Sequence, residues 1–122
     1  MKEDRVYLLH ILDAARKVFT YTTEGRAVFL ADTKTQDAVI RNIEIIGEAT
    51  KNLGEGLKAE HPDIPWKKIG GMRDTLIHRY FGVKLELVWQ VVEIDLPVFR
   101  RQVEDILQSL PALPTAPDAA KD

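Results

Sequence analysis

Apolar residues recur along this chain at intervals of three and four, the period of a helix buried along one side. Over residues 4–20 the stripe is Leu8, Ile11, Leu12, Ala15, Val18 and Phe19, with charged residues opposite. The run Thr20-Tyr21-Thr22-Thr23-Glu24-Gly25 breaks it, and Val28, Phe29 and Leu30 follow as an apolar patch the length of one helical turn. Asp32 and Thr33 offer N-caps for a second long helix, with Gln36 at the capping-box position after Thr33. That helix should run to Leu53, before Gly54. It is apolar on two sides, with Val39, Ile43, Ile46 and Thr50 on one and Ile40 and Gly47 on another. Such a helix is either central in a bundle or shared with a second subunit. Gly47 costs a helix interior about 1 kcal/mol relative to Ala, which predicts close approach of another backbone there.

Asn52 to Pro65 forms a polar connection with room for one short helix at Glu55–Glu60. Asp63 is placed to cap the next helix and Pro65 suits its first turn. Trp66, Ile69, Met72, Leu76 and Ile77 then repeat at helical spacing up to Gly82. Gly70-Gly71 leaves two forms open, one helix with a tight contact or two joined pieces. Leu85, Val88, Trp89 and Val92 make a further stripe, and Asp95 with Pro97 marks the start of a last helix to Leu110. Residues 1–110 thus form one helical domain, and the Pro/Ala-rich segment 111–122 is expected to be a disordered tail. No strand alternation interrupts this pattern, so the fold class is an all-α bundle.

Composition narrows the chemistry. With 122 residues there is one core, and 17 basic against 19 acidic residues give a net charge of −2. No global field attracts a nucleic acid, so such binding requires a local patch. The absence of cysteine excludes disulfides, thiolate nucleophiles and Cys-type zinc sites. The first residues lead into an amphipathic segment and no apolar run approaches the roughly 18 residues of a membrane span, so a cytoplasmic location is expected.

The segment Met72-Arg73-Asp74-Thr75-Leu76-Ile77-His78-Arg79-Tyr80-Phe81 carries the candidate chemistry, in the order R-x4-H-x-Y. Arg holds a phosphate bidentately at constant charge, and His moves protons near neutral pH. Tyr adds a hydroxyl that donates, accepts or serves as an attachment point. On a regular helix Arg73 and Tyr80 fall within about 20° of one face, while His78 is turned about 140° from Arg73 and lies roughly 7.5 Å along. One straight helix does not bring all three onto one atom; two such helices facing each other across a two-fold axis do so more simply. Between Lys67 and Lys84, Lys67, Lys68, Arg73, Arg79 and Lys84 stand against the single acid Asp74. That excess suits a phosphodiester, with His78 as the proton-transfer group and Arg73 stabilising the charged phosphorane. The plain alternative is a solvated or structurally paired Arg and His on a helix surface.

Other candidates have structural roles. His10, among Leu8, Leu9 and Ile11, reads as a partly buried structural residue, and His61 before Pro62 as a turn residue. The histidines lack metal-ligand spacing, and neither a metal nor a cofactor is expected. Trp66, Trp89 and Phe81 belong to apolar stripes, and Tyr7 and Tyr21 have no supporting motif. Gly54-x-Gly56 and Gly70-Gly71 lack the context of a phosphate loop.

Three ordered motifs resemble the HEPN superfamily, and within it the HepT-like toxins. They are Thr35-Gln36-Asp37-Ala38 with Ile45-Ile46-Gly47-Glu48-Ala49, His61-Pro62-Asp63-Ile64-Pro65-Trp66, and Arg73-x4-His78-x-Tyr80 followed by Phe81-Gly82. Trp89 and Asp95-Leu96-Pro97 also match, and the resemblance covers residues 4–108. It implies a four- to five-helix bundle that dimerises, with both motifs lining the cleft between protomers of a metal-independent endoribonuclease. Arg73 and His78 become the catalytic pair, and Tyr80 the residue to which a nucleotidyltransferase antitoxin of the MNT type transfers AMP. Added phosphates there would oppose a substrate phosphate. Many members carry Asn where this chain has Asp74, a carboxylate that either orients Arg73 or partly neutralises it. Arg79 and Glu48 are further cleft candidates, Glu48 being equally suited to solvent or to pairing with Lys51 at i, i+3. No nucleotidyltransferase site is present in the sequence, so the chain should accept AMP and not transfer it. Two rivals are a non-catalytic helical module that docks to or presents substrate to a nucleotidyltransferase, and a nucleotide-sensing domain.

Overall fold

A computed structural model describes residues 2–78 and 85–111, apart from the side chains at positions 2, 73 and 76–78. The first apolar stripe forms α1 (Lys2–Tyr21), which buries Leu8, Ile11, Ala15 and Val18 completely. Gly25, in the left-handed region at φ 95°, turns the chain into α2 (Arg26–Ala31), whose Phe29 enters the core. The doubly apolar segment is α3 (Thr33–Lys51), packed between α1 and α5 (Trp66–His78). Its two apolar sides are therefore both used within one protomer. Val39, Ile43, Ile46 and Thr50 are buried, and the Thr50 hydroxyl is satisfied by the Ile46 carbonyl at 2.7 Å.

The junctions differ from expectation in two places. Asp32, in extended conformation, is the N-cap of α3, with no side-chain capping bond. Its carboxylate instead accepts from the Thr35 hydroxyl at 2.6 Å. Gln36 does not reach back to Thr33. Its side-chain amide donates to the Phe29 and Leu30 carbonyls, at 3.0 and 3.1 Å, and so closes the open end of α2. At the start of α5, Pro65 occupies the cap position, its carbonyl accepting from the Ile69 amide at 3.0 Å. Between these lies α4 (Glu55–Glu60), as the sequence predicts. Its N-cap Gly54 donates its amide to buried Asp4 at 2.8 Å, tying this connection to the start of α1.

The larger correction concerns Asp95 and Pro97. No turn separates α6 (Leu85–Gln90) from α7 (Leu96–Ser109); a π-helical segment, Val91–Asp95, joins them into one continuous rod. Proline lacks an amide hydrogen and its ring crowds the carbonyl four residues back, so a regular α-turn is strained there. Widening the preceding turn to π geometry removes that conflict without stopping the helix. Val88, Trp89, Val92, Leu96, Phe99, Val103 and Ile106 line the buried side of the rod.

Among the described residues, four long helical segments and two short ones make the all-α bundle the periodicity predicts. Among the described residues no helix is long and apolar enough to cross a membrane. Gly82 and the expected tail beyond Pro111 lie outside the described residues.

Candidate active site

The helix that carries the motif is fixed before the motif is reached. The His61 carbonyl accepts from the Ile64 amide at 3.2 Å and from the Trp66 indole at 2.9 Å, so His61 shapes the turn that launches α5. The Trp66 ring meets Phe99 edge-to-face at 6.0 Å, anchoring the start of α5 to α7. Trp89 packs against Phe29 at 5.5 Å, also as a core residue. Halfway along, α5 continues unbroken through Gly70-Gly71. A Cβ on Gly70 would stand 4.0 Å from the Gly47 carbonyl and 3.2 Å from Cγ of Lys51. Gly70 on α5 thus faces the Gly47 carbonyl on α3, which agrees with the close approach expected there.

Arg73 lies on the turn after Gly70, and His78 is the last residue of α5. The side chains of both lie outside the described residues, as do Arg79 and Tyr80 altogether.

Asp74 is half-exposed, and its Oδ2 accepts from Lys51 Nζ at 2.8 Å. Gly70, one turn earlier, leaves the space through which the Lys51 stem passes. The carboxylate next to Arg73 therefore shares its charge with a lysine from another helix, a partner the sequence did not reveal. Lys51 turns to Asp74 and not to Glu48, its candidate partner at i, i+3. Glu48 is exposed and borders a groove together with Tyr7, His10 and Arg41. His10 is itself exposed, with its ring edge-to-face on Tyr7 at 6.3 Å. The expectation of a partly buried His10 fails because the stripe Leu8, Ile11, Ala15, Val18 turns position 10 outward.

Of the expected run of positive charge, the two described side chains, Lys67 and Lys68, are divided by the helix. Lys67 borders an open cleft of about 640 Å³, with Lys51 and Lys58 as its other cations, Glu55 and Asp74 as its acids, and Gly70 and Gly71 between them. Lys68, one residue on, lies on another side of α5, its Nζ 3.8 Å from Asp95 Oδ1. There it meets an apolar groove of about 280 Å³ formed by Ile69, Met72, Val91, Ile94 and Phe99. Sequence inspection missed Lys51 and Lys58 because they reach the cleft from α3 and α4. The only available signal was that Lys51 follows Gly47 by one helical turn. Among the described residues no group of three His, Asp or Glu side chains is placed to hold a metal ion.

Comparison with known proteins gives consistent results. The family described as "Ribonuclease HepT-like" matches residues 11–106. A Methanocaldococcus jannaschii protein named for an RNase is 39% identical over 110 residues, covering 89% of this chain and 91% of the relative. A Caldanaerobacter subterraneus protein, also named for an RNase, is 41% identical over 88% of this chain and 97% of its own length. A Thermococcus cleftensis protein named for ribonuclease HepT is 45% identical, covering 82% of this chain and 92% of the relative. No solved structure matches the chain.

Proposed function

We propose a specific activity for this chain, which belongs to the HepT-like ribonuclease family: metal-independent endonucleolytic cleavage of RNA by a homodimer. One observation carries the reading. Arg73 and His78 stand on a single unbroken helix, held to the centre of the bundle by its packing on α3. In this reading His78 moves the proton between the 2′-hydroxyl, the phosphate and the leaving oxygen. Arg73 stabilises the charge that builds on the phosphorane. The two groups diverge on one α5, so the productive site is composite and uses α5 of both protomers.

The exposed apolar side chains Leu87, Ile94 and Val98, on the rod beside α5, support a subunit contact near the motif. The protein then acts as the toxin of a toxin–antitoxin pair. Its partner is a nucleotidyltransferase that transfers AMP to Tyr80 and places negative charge where substrate phosphate must sit.

The test is RNA cleavage in the presence of EDTA by protein whose intact mass shows it to be unmodified. His78→Ala should abolish cleavage while circular dichroism and oligomeric mass stay unchanged. Normal cutting by that variant would sink the enzyme reading. With ATP and the partner, wild-type protein should gain AMP-sized mass increments that Tyr80→Phe does not; persistent incorporation would exclude Tyr80 as acceptor.

A further inference from the structure

We infer that the cleft bordered by Lys51, Lys58 and Lys67 is a phosphate-binding track that leads a single RNA strand toward His78. The inference rests on the ribonuclease reading and adds a substrate-binding surface outside the R-x4-H-x-Y motif.

Three lysines reach one cleft from three different helices, α3, α4 and α5, in a chain whose net charge is −2. Scattered surface charge does not give that convergence. The cleft also borders one row of α5 positions. Lys67, Gly71, Asp74 and His78 stand at i, i+4, i+7 and i+11 on α5, a single row on its surface. The row is roughly 16 Å long at the helical rise, and the cleft lining reaches Asp74, one helical turn before His78 in the chain.

Its floor favours close approach. Apart from α5's own backbone, no atom of the described residues lies within 4 Å of where a Cβ on Gly71 would be, so a sugar–phosphate backbone can rest directly on α5. Both acids in the cleft hold a lysine: Lys51 to Asp74 at 2.8 Å, and Lys58 to Glu55 at 3.7 Å. The Lys51–Asp74 pair is partly open to solvent and Glu55 is fully so, and ion pairs open to solvent are weak. A phosphate can therefore take the place of either carboxylate. Lys58 is pre-positioned, because most of its side chain is covered while it still lines the cleft.

The probe is a 2′-O-methyl oligoribonucleotide, which binds but cannot be cut, titrated at several salt concentrations. Lys58→Met, which keeps the stem, and Lys67→Gln, at an exposed position, should each weaken binding. Each should also lower the slope of log affinity against log salt by about 0.7, the value for one phosphate contact on a single strand. On a cleavable strand both should raise KM and leave kcat near wild type. Asp74→Asn should tighten binding, since it removes an anion and releases Lys51. Lys34→Gln, on an exposed part of α3 remote from the cleft, is the control.

Wild-type affinity and salt slope in both lysine variants would overturn the track. So would loss of nucleotidyltransferase binding with RNA binding intact, which would make the cleft a protein-docking surface. Failure of the ribonuclease reading looks different: wild-type protein then leaves the cleavable strand intact, whatever its affinity.

Discussion

Gly70 carries no side chain because Lys51 runs where one would begin. A methyl there would sit 3.2 Å from the Lys51 stem and would push Lys51 away from Asp74. The adjacent Gly71 has open space at the same position. The two glycines look alike in sequence and differ in consequence. Gly71→Ala should stabilise the fold by about 0.5–1 kcal/mol, the difference in helix propensity, as read by urea denaturation. Gly70→Ala should gain less, because Lys51 must shift. Equal gains in the two variants would mean that the Lys51 contact costs nothing to disturb. Only part of this was legible in the residues. An interior glycine at 47 announced a close approach, but the partner glycine and Lys51 lie on elements joined only in the fold. Asp74 was likewise visible as a departure beside Arg73, whereas Lys51, 23 residues earlier, became its partner only when α3 packed on α5.

The elements themselves were largely readable, since hydrophobic period survives folding and the core is built from it. The apolar stripes of α1 and α3 and the short helix at Glu55–Glu60 all appear where the pattern put them. The failure is local and has a physical cause. Proline near an acid is a common helix start, and sequence alone cannot distinguish that from a π-turn inside a longer helix. The distinction depends on the core: Val92 within the widened turn and Leu96 just after it are both buried, so packing holds the rod together. That rod also fixes the motif helix through Phe99, which is buried against Trp66. Phe99→Ala should cost about 3–5 kcal/mol of unfolding free energy, the range for large aromatic truncation in a core. Trp66 fluorescence should report the loosened α5 before global unfolding. A loss below about 1 kcal/mol would show that α5 is positioned by α3 alone.

At the scale of the molecule, sequence pattern alone predicted a bundle, helix geometry hinted at a two-fold pairing, and resemblance made a dimer the expectation. A buried stripe shows which residues leave water but not whether the cover comes from the same chain. Here α3 is covered within one protomer, so its two apolar sides say nothing about assembly. The apolar residues that remain exposed carry that question. Leu87, Ile94 and Val98 are each more than half exposed on one rod, and Met72 of α5 borders the grooves beside them. A cluster of this kind is costly to leave in water and marks a contact surface. Ile94→Asp should therefore halve the mass seen by sedimentation equilibrium, with helical content unchanged. Because the proposed site draws on α5 of both protomers, the same substitution should remove cleavage although Ile94 is no part of the motif. Leu9→Asp, an equally exposed apolar position on α1, should do neither. Dissociation by the α1 variant alone would move the interface to the opposite face. An Ile94→Asp monomer that still cuts RNA would show that one copy of α5 suffices for the chemistry.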